Sequence, residues 1–215
     1  MTLFSILLVG LLLGMKHATE ADHLAAVATL ATREATLAQT LRQGVAWGIG
    51  HTLSLMGFGG VVFLLGRAIS PSLEQALETA VGIMLIVLGA DVLRRLIVER
   101  IHLHEQCHAH TQRWPLRALA VGMMHGLAGS AALVMLSLKS LPSWSIGLGY
   151  IVVFGLGSIV GMALLSVAIA LPLRLSAGYL LGLHRSMTGL VGLFSCALGA
   201  CMVVEIGYLR AVLAG

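Results

Sequence analysis

Charge is scarce in this chain. Only 10% of its 215 residues are charged against 58% hydrophobic, and the mean hydropathy is +0.97. That balance excludes a water-soluble domain of this length and puts the chain in a bilayer. Cysteine is also sparse: Cys107, Cys196 and Cys201 are odd in number and show no CxxC spacing, which leaves out a disulfide framework and a zinc ribbon. The one HExxH string, His104-Glu105-Gln106-Cys107-His108, lies in a polar connection between apolar runs, not on an apolar helix, so by itself it does not indicate a membrane metalloprotease. No basic residue precedes the first apolar run and no small-residue cleavage site interrupts it, so a retained helix is expected there rather than a cleaved signal peptide. Gly155-Leu156-Gly157 lacks the preceding strand that a phosphate loop requires. The formal charge of +4 comes from basic residues scattered between apolar runs, which discards nucleic acid as a partner.

What is present is a series of six apolar stretches near the roughly 20 residues that a crossing helix needs. They cover 3–30, 44–65, 79–96, 116–138, 144–171 and 187–213. The expected fold is therefore an all-α integral membrane protein with six transmembrane helices. Nine arginines, among them Arg33, Arg94, Arg95, Arg117 and Arg185, lie in the first, third and fifth connections, whereas Arg67, Lys139 and Arg210 lie on the other side. Because cytoplasmic loops carry the basic excess, both termini are expected in the periplasm of a bacterial inner membrane, with the third connection in the cytoplasm.

The halves resemble one another. Gly14-Met15-Lys16-His17 matches Gly122-Met123-Met124-His125 at an offset of 108, and Gly48-Ile49-Gly50-His51 matches Gly155-Leu156-Gly157-Ser158 at 107. Val81-Gly82 with Leu88-Gly89-Ala90 matches Val191-Gly192 with Leu198-Gly199-Ala200 at 110. A unit of three spans enters the membrane upside down relative to its copy, the arrangement common in secondary transporters. The organisation read here is two inverted three-helix repeats, 1–97 and 116–215, joined by a loop at 98–115. Glycines four apart, such as Gly10/Gly14 and Gly122/Gly126, serve close helix packing.

Several ionisable residues nevertheless fall inside or at the ends of apolar spans: His17, Glu20, Asp22, His23, His51, Asp91, His125 and Glu205. Each costs at least about 2.5 kcal/mol at the bilayer centre, so such groups mark a pathway or a partner. Imidazole with carboxylate suits nickel, cobalt or zinc, whereas magnesium and calcium prefer oxygen and copper(I) prefers sulfur. On a continuous helix Asp22 and His23 would stand about 140° and 240° around from His17, too far apart for one ion. Either the helix unwinds near residues 14–17 or a subset binds, with His51 and His125 completing the shell. Lys16 is expected to pair with Glu20 at i, i+4, and His184 and Glu205 read as interhelical hydrogen-bonding groups.

The segment from Lys16 to His23 resembles the signature of the nickel/cobalt transporter family, a His, four residues, then Asp-His, here His17-x4-Asp22-His23. Gly50-His51-Thr52 resembles the family's second motif, and Leu88-Gly89-Ala90-Asp91 the start of a third, from which Val92, Leu93, Arg94 and Arg95 then depart. Six spans and His125-Gly126-Leu127-Ala128-Gly129-Ser130 resemble the shorter urease-accessory-type permeases of that family. The resemblance implies transport of nickel(II), with cobalt(II) second, through a site of His17, Asp22, His23, His51, His125, Glu20 and Asp91. The expected partners are the ion, membrane lipid and cytoplasmic metallochaperones. No enzymatic activity and no prosthetic cofactor are expected. Uptake is favoured; efflux is the alternative, and a thiol-disulfide electron conduit the remoter one, since Cys196 and Cys201 lie on one helix.

The loop holds His102, His104, His108 and His110 beside Glu105 and Cys107, a composition that commonly binds metals. Replacing all four histidines with Ala should lower metal capture at scarce concentrations and leave transport at high concentrations nearly intact. A normally expressed quadruple variant that transports nothing at any metal concentration would make the loop part of the conduit.

Overall fold

A computed structural model describes residues 3–33, 36–61, 70–101, 115–128, 144–179 and 181–214. All regular structure among them is helical: α1 Leu3–His17, α2 Ala21–Ala31, α3 Leu37–Ser54, α4 Pro71–Ile101, α5 Leu116–Leu127, α6 Trp144–Tyr179 and α7 Leu181–Ala214. A capping box starts α3, with Gln39 N–H donating to Thr36 Oγ1 at 3.2 Å and Thr36 N–H donating to Gln39 Oε1 at 3.0 Å. The same helix loosens into a π-helical turn at Leu55–Gly59.

Two segments have the length and apolar composition to cross a membrane, Ile146–Ser176 and Gly182–Tyr208, and Phe4–His17 with Ala21–Ala31 makes a third when taken as one bent span. The first stretch is thus not the continuous helix its hydropathy suggests, because α1 and α2 meet at 59°. Of the other expected spans, 79–96 lies inside α4, while 44–65 and 116–138 run beyond the described residues. The exterior is apolar: Leu164, Leu190 and Val204 are 58%, 65% and 70% exposed. Small and polar side chains such as Ala18, Ala25, Ser158, Ser195 and four histidines are buried instead. This inversion of the water-soluble pattern is what a lipid surround favours.

Glycine sets the spacing between helices. A Cβ on Gly14 (α1) would strike the Phe154 carbonyl of α6, and one on Gly157 (α6) would strike that of Leu11. Likewise a Cβ on Gly122 (α5) would strike the Trp47 carbonyl of α3, and one on Gly50 would strike that of Leu119. Between α4 and α7, Gly82 faces Gly199 and Gly89 faces Gly192, and the buried Ser195 Oγ donates to the Leu85 carbonyl at 3.0 Å. The Thr52 hydroxyl reaches the Gly155 carbonyl at 3.2 Å, tying α3 to α6.

At one end of the bundle Asp91 (α4) draws guanidinium groups together. Arg33 hydrogen-bonds its carboxylate, and Arg95, Arg117 and Arg94 stand 3.5, 3.7 and 3.9 Å away. Arg33 follows α2, and Arg117 opens α5. The end of α2, the second half of α4 and the start of α5 therefore share one face.

Gly14→Ala and Gly122→Ala should each lower thermal stability in detergent by about 1–3 kcal/mol, the usual cost of overpacking. Gly57→Ala, with nothing within 4 Å of the added carbon, should leave the unfolding midpoint unchanged. Equal midpoints for all three variants would show that close backbone approach does not hold the bundle.

Candidate metal site

The break after His17 is where the site begins. Glu20 has an extended backbone at φ −63° and ψ 148°, and the Thr19 hydroxyl donates to the Lys16 carbonyl at 2.6 Å. A hydroxyl that takes a backbone carbonyl competes with the helical ladder. The bend that follows turns His17, last in α1, toward His23 in the first turn of α2. Their ring centroids are 4.4 Å apart, although a straight helix would place them about 240° around from one another.

Two further helices complete a buried cluster. His51 comes from α3, its centroid 5.2 Å from His17 and 5.4 Å from His23. His125 comes from the last turn of α5, 4.9 Å from His23. All four imidazoles are at most 4% exposed. Ligand atoms of His17, His23 and His51 lie within 4.8 Å of one another, as do those of Asp22, His23 and His125. The two sets share His23.

Hydrogen bonds engage one ring nitrogen each of His23 and His125 and none of His17 or His51. His23 Nδ1 and the Asp22 Oδ1 carboxylate oxygen are 2.8 Å apart, and His125 Nδ1 lies 3.3 Å from the Val121 carbonyl. Both bonds place the proton on Nδ1 and the lone pair on Nε2, the way a partner outside the coordination shell orients a metal-binding imidazole. Glu20 Oε1 stands 2.8 Å from His17 Nδ1 without hydrogen-bond alignment; Glu20 thus turns to His17 rather than to Lys16. The Nε2 atoms of His17, His23 and His125, and both nitrogens of His51, are buried without a hydrogen-bond partner. Each such group costs about 1–3 kcal/mol in a protein interior. A cation would meet several of these lone pairs at once.

Trp47 closes the other side. It is fully buried, stacks on His51 at 5.7 Å and 14°, and packs on His125 at 5.3 Å and edge-on to His23 at 5.0 Å. Its position one turn before His51 puts both on one face of α3, a signal present in the sequence but overshadowed by the more conspicuous ionisable groups.

Other residues singled out by sequence are placed elsewhere. Asp91 faces arginines rather than the imidazoles, because basic groups from three elements converge on it, which spacing alone does not reveal. His184 Nδ1 lies 2.9 Å from the Leu173 carbonyl, an interhelical hydrogen bond, and Glu205 is exposed on α7. Cys196 Sγ lies 3.6 Å from the Ile86 carbonyl and Cys201 is exposed, neither in a disulfide. His102, His104, His108 and His110 lie outside the described residues.

Comparison with known proteins adds a relative of nearly the same length. The chain is 36% identical over 214 residues to the urease accessory protein UreH of Bacillus sp. (strain TB-90), covering 95% of this chain and 93% of that protein. It is 27% identical over 173 residues to the chloroplast protein FOR GROWTH AND FERTILITY 1 of Arabidopsis thaliana, covering 71% of this chain and 46% of the plant protein. A second Arabidopsis thaliana protein, FOR GROWTH AND FERTILITY 2, is 28% identical over 154 residues. No family model and no solved structure matches the chain.

Asp22→Asn preserves side-chain volume and removes the anion, so calorimetric titration of the purified variant should show nickel binding weakened at least about tenfold. His17→Ala and His23→Ala should do the same, with effects far from additive because they act on one ion. His184→Ala should be nearly silent. If Asp22→Asn and His17→Ala bind nickel like the parent, the cluster is structural.

Proposed function

The chain belongs to the family of the urease accessory protein UreH, and from that premise we propose that it is a membrane permease for nickel(II), with cobalt(II) as its second substrate. It works as an accessory protein and not as an enzyme. The observation that carries the proposal is a pair of buried triads, His17/His23/His51 and Asp22/His23/His125, each with ligand atoms within 4.8 Å and sharing His23, among which six ring nitrogens lack hydrogen-bond partners. Imidazole with a single carboxylate favours nickel or cobalt over magnesium or calcium. Asp22 offsets only part of the charge of a divalent ion, and conduction needs binding that is favourable enough to enter yet weak enough to leave. Proton binding to the ring nitrogens would compete with the ion.

The architecture proposed with this function is six crossings as two inverted repeats, 1–97 and 116–215. Duplicated contacts support it. Gly14 on Phe154 corresponds to Gly122 on Trp47, and Gly157 on Leu11 corresponds to Gly50 on Leu119, at the offsets of 107 and 108 that relate the sequences. Gly82 on Gly199 and Gly89 on Gly192 exchange at 110, as does the Ser195 to Leu85 hydrogen bond, whose two residues are 110 apart. Even the aromatic lids correspond: Phe154 packs on His17 at 5.5 Å and Trp47 on His125 at 5.3 Å. The arginine-rich face around Asp91 would be cytoplasmic, with both termini periplasmic in a bacterial inner membrane. The loop at 98–115 would then exchange ions with cytoplasmic metallochaperones.

Uptake of radioactive nickel tests the proposal and its direction. Cells making the protein should accumulate several-fold more nickel than cells lacking it, and Asp22→Asn at equal abundance should return accumulation to background. Lower accumulation than in cells lacking it would identify an exporter. Unchanged accumulation in both directions would reject transport of nickel.

A further inference from the structure

A second polar pocket lies at the arginine-rich end, where the end of α2, the second half of α4 and the start of α7 meet. It is lined by Thr32, Val92, Arg95, Leu96, His184, Arg185 and Thr188 and has a volume of about 130 Å³, several times the roughly 30 Å³ that one water occupies. No carboxylate lines it; the nearest acid chemistry is Asp91, which pairs with Arg95 from outside. Among the described residues, Arg185 has no ion-pair partner. Thr188 is 8% exposed and its hydroxyl has no hydrogen-bond partner. His184 Nδ1 is held by the Leu173 carbonyl, which leaves Nε2 for another contact.

Beside the pocket lies a groove of different chemistry. Leu93, Leu96, Ile97, Arg185 and Ser186 line a space of about 410 Å³ whose wall is mainly apolar. Leu96 and Arg185 line both, so a cationic chamber and an apolar groove lie side by side. A free phosphate ion needs only the first; an amphiphile with a negative head uses both. We propose that this pocket and groove hold an anionic phospholipid, its phosphate between Arg185, Arg95 and Thr188 and an acyl chain along Leu93, Leu96 and Ile97. The four arginines gathered on Asp91 keep the whole face electropositive, and basic pockets between membrane helices on the cytoplasmic side are where anionic headgroups bind. The bound lipid would clamp α4 to α7 at the end where their glycine contacts stop. The proposal rests on the membrane reading of the chain and is independent of the imidazole cluster.

The test uses the full chain purified in uncharged detergent, with lipid retention measured by native mass spectrometry and stability by thermal unfolding. Phosphatidylglycerol should be retained at concentrations about tenfold lower than phosphatidylcholine and should raise the unfolding midpoint. Arg185→Gln and Thr188→Val should each erase most of that preference, whereas Arg94→Gln, which removes the same charge from a 75% exposed side chain outside the pocket, should change it less than twofold. Thr188→Val keeps the shape of the side chain and so reports on the pocket even if Arg185→Gln fails to fold. Nickel titration of the same samples should be unchanged, which separates this site from the metal site. Equal retention of the two lipids, or equal damage from Arg94→Gln and Thr188→Val, would overturn the proposal. Stabilisation by inorganic phosphate matching that by phosphatidylglycerol would overturn it in favour of a free anion.

Discussion

Gly126 lies against the His51 carbonyl and Gly122 against that of Trp47, so α3 and α5 touch backbone to backbone where the two helices present His51 and His125. Gly14 does the same for α1 against α6, three residues before His17. In a bilayer no hydrophobic force draws one apolar helix to another, and close van der Waals packing must take its place. These contacts fix the distances among the imidazoles. A methyl group at any of them would meet backbone at under 3.0 Å and force the helices to shift.

Close packing alone would still leave His17 and His23 about 120° apart around one helix. The 59° bend between α1 and α2 converts a sequence neighbourhood into a spatial one, and it leaves Asp22 bridging toward both His23 and, at 3.7 Å, His125. A broken helix whose ends face buried polar groups is how membrane transporters build midplane ion sites, because irregular backbone is tolerated there only when protein surrounds it.

Much of this was legible in the sequence. Composition and apolar run lengths pointed to a helical membrane protein, and the angular conflict among His17, Asp22 and His23 required either an unwound segment or a subset of ligands. His51 and His125 followed from burial cost and from the family resemblance. The place of the break was less legible, since no Gly or Pro lies between His17 and Ala21 and the local competitor is a threonine hydroxyl. Asp91 misled, because a carboxylate after Leu-Gly-Ala looks the same whether it meets an ion or arginines; only the fold brings Arg33 and Arg117 to it. Trp47 was missed for the opposite reason, as an aromatic residue in an apolar run carries no contrast until its histidine neighbours are known.

The central claim is that buried imidazoles hold the transported ion, with no sulfur in the shell. X-ray absorption at the nickel edge, on purified protein loaded with one equivalent of nickel, addresses it most directly. The expected spectrum shows nitrogen and oxygen neighbours only, with the outer-shell scattering of at least two imidazole rings that diminishes in His23→Ala. A spectrum showing sulfur ligation, or one without imidazole scattering, would contradict it.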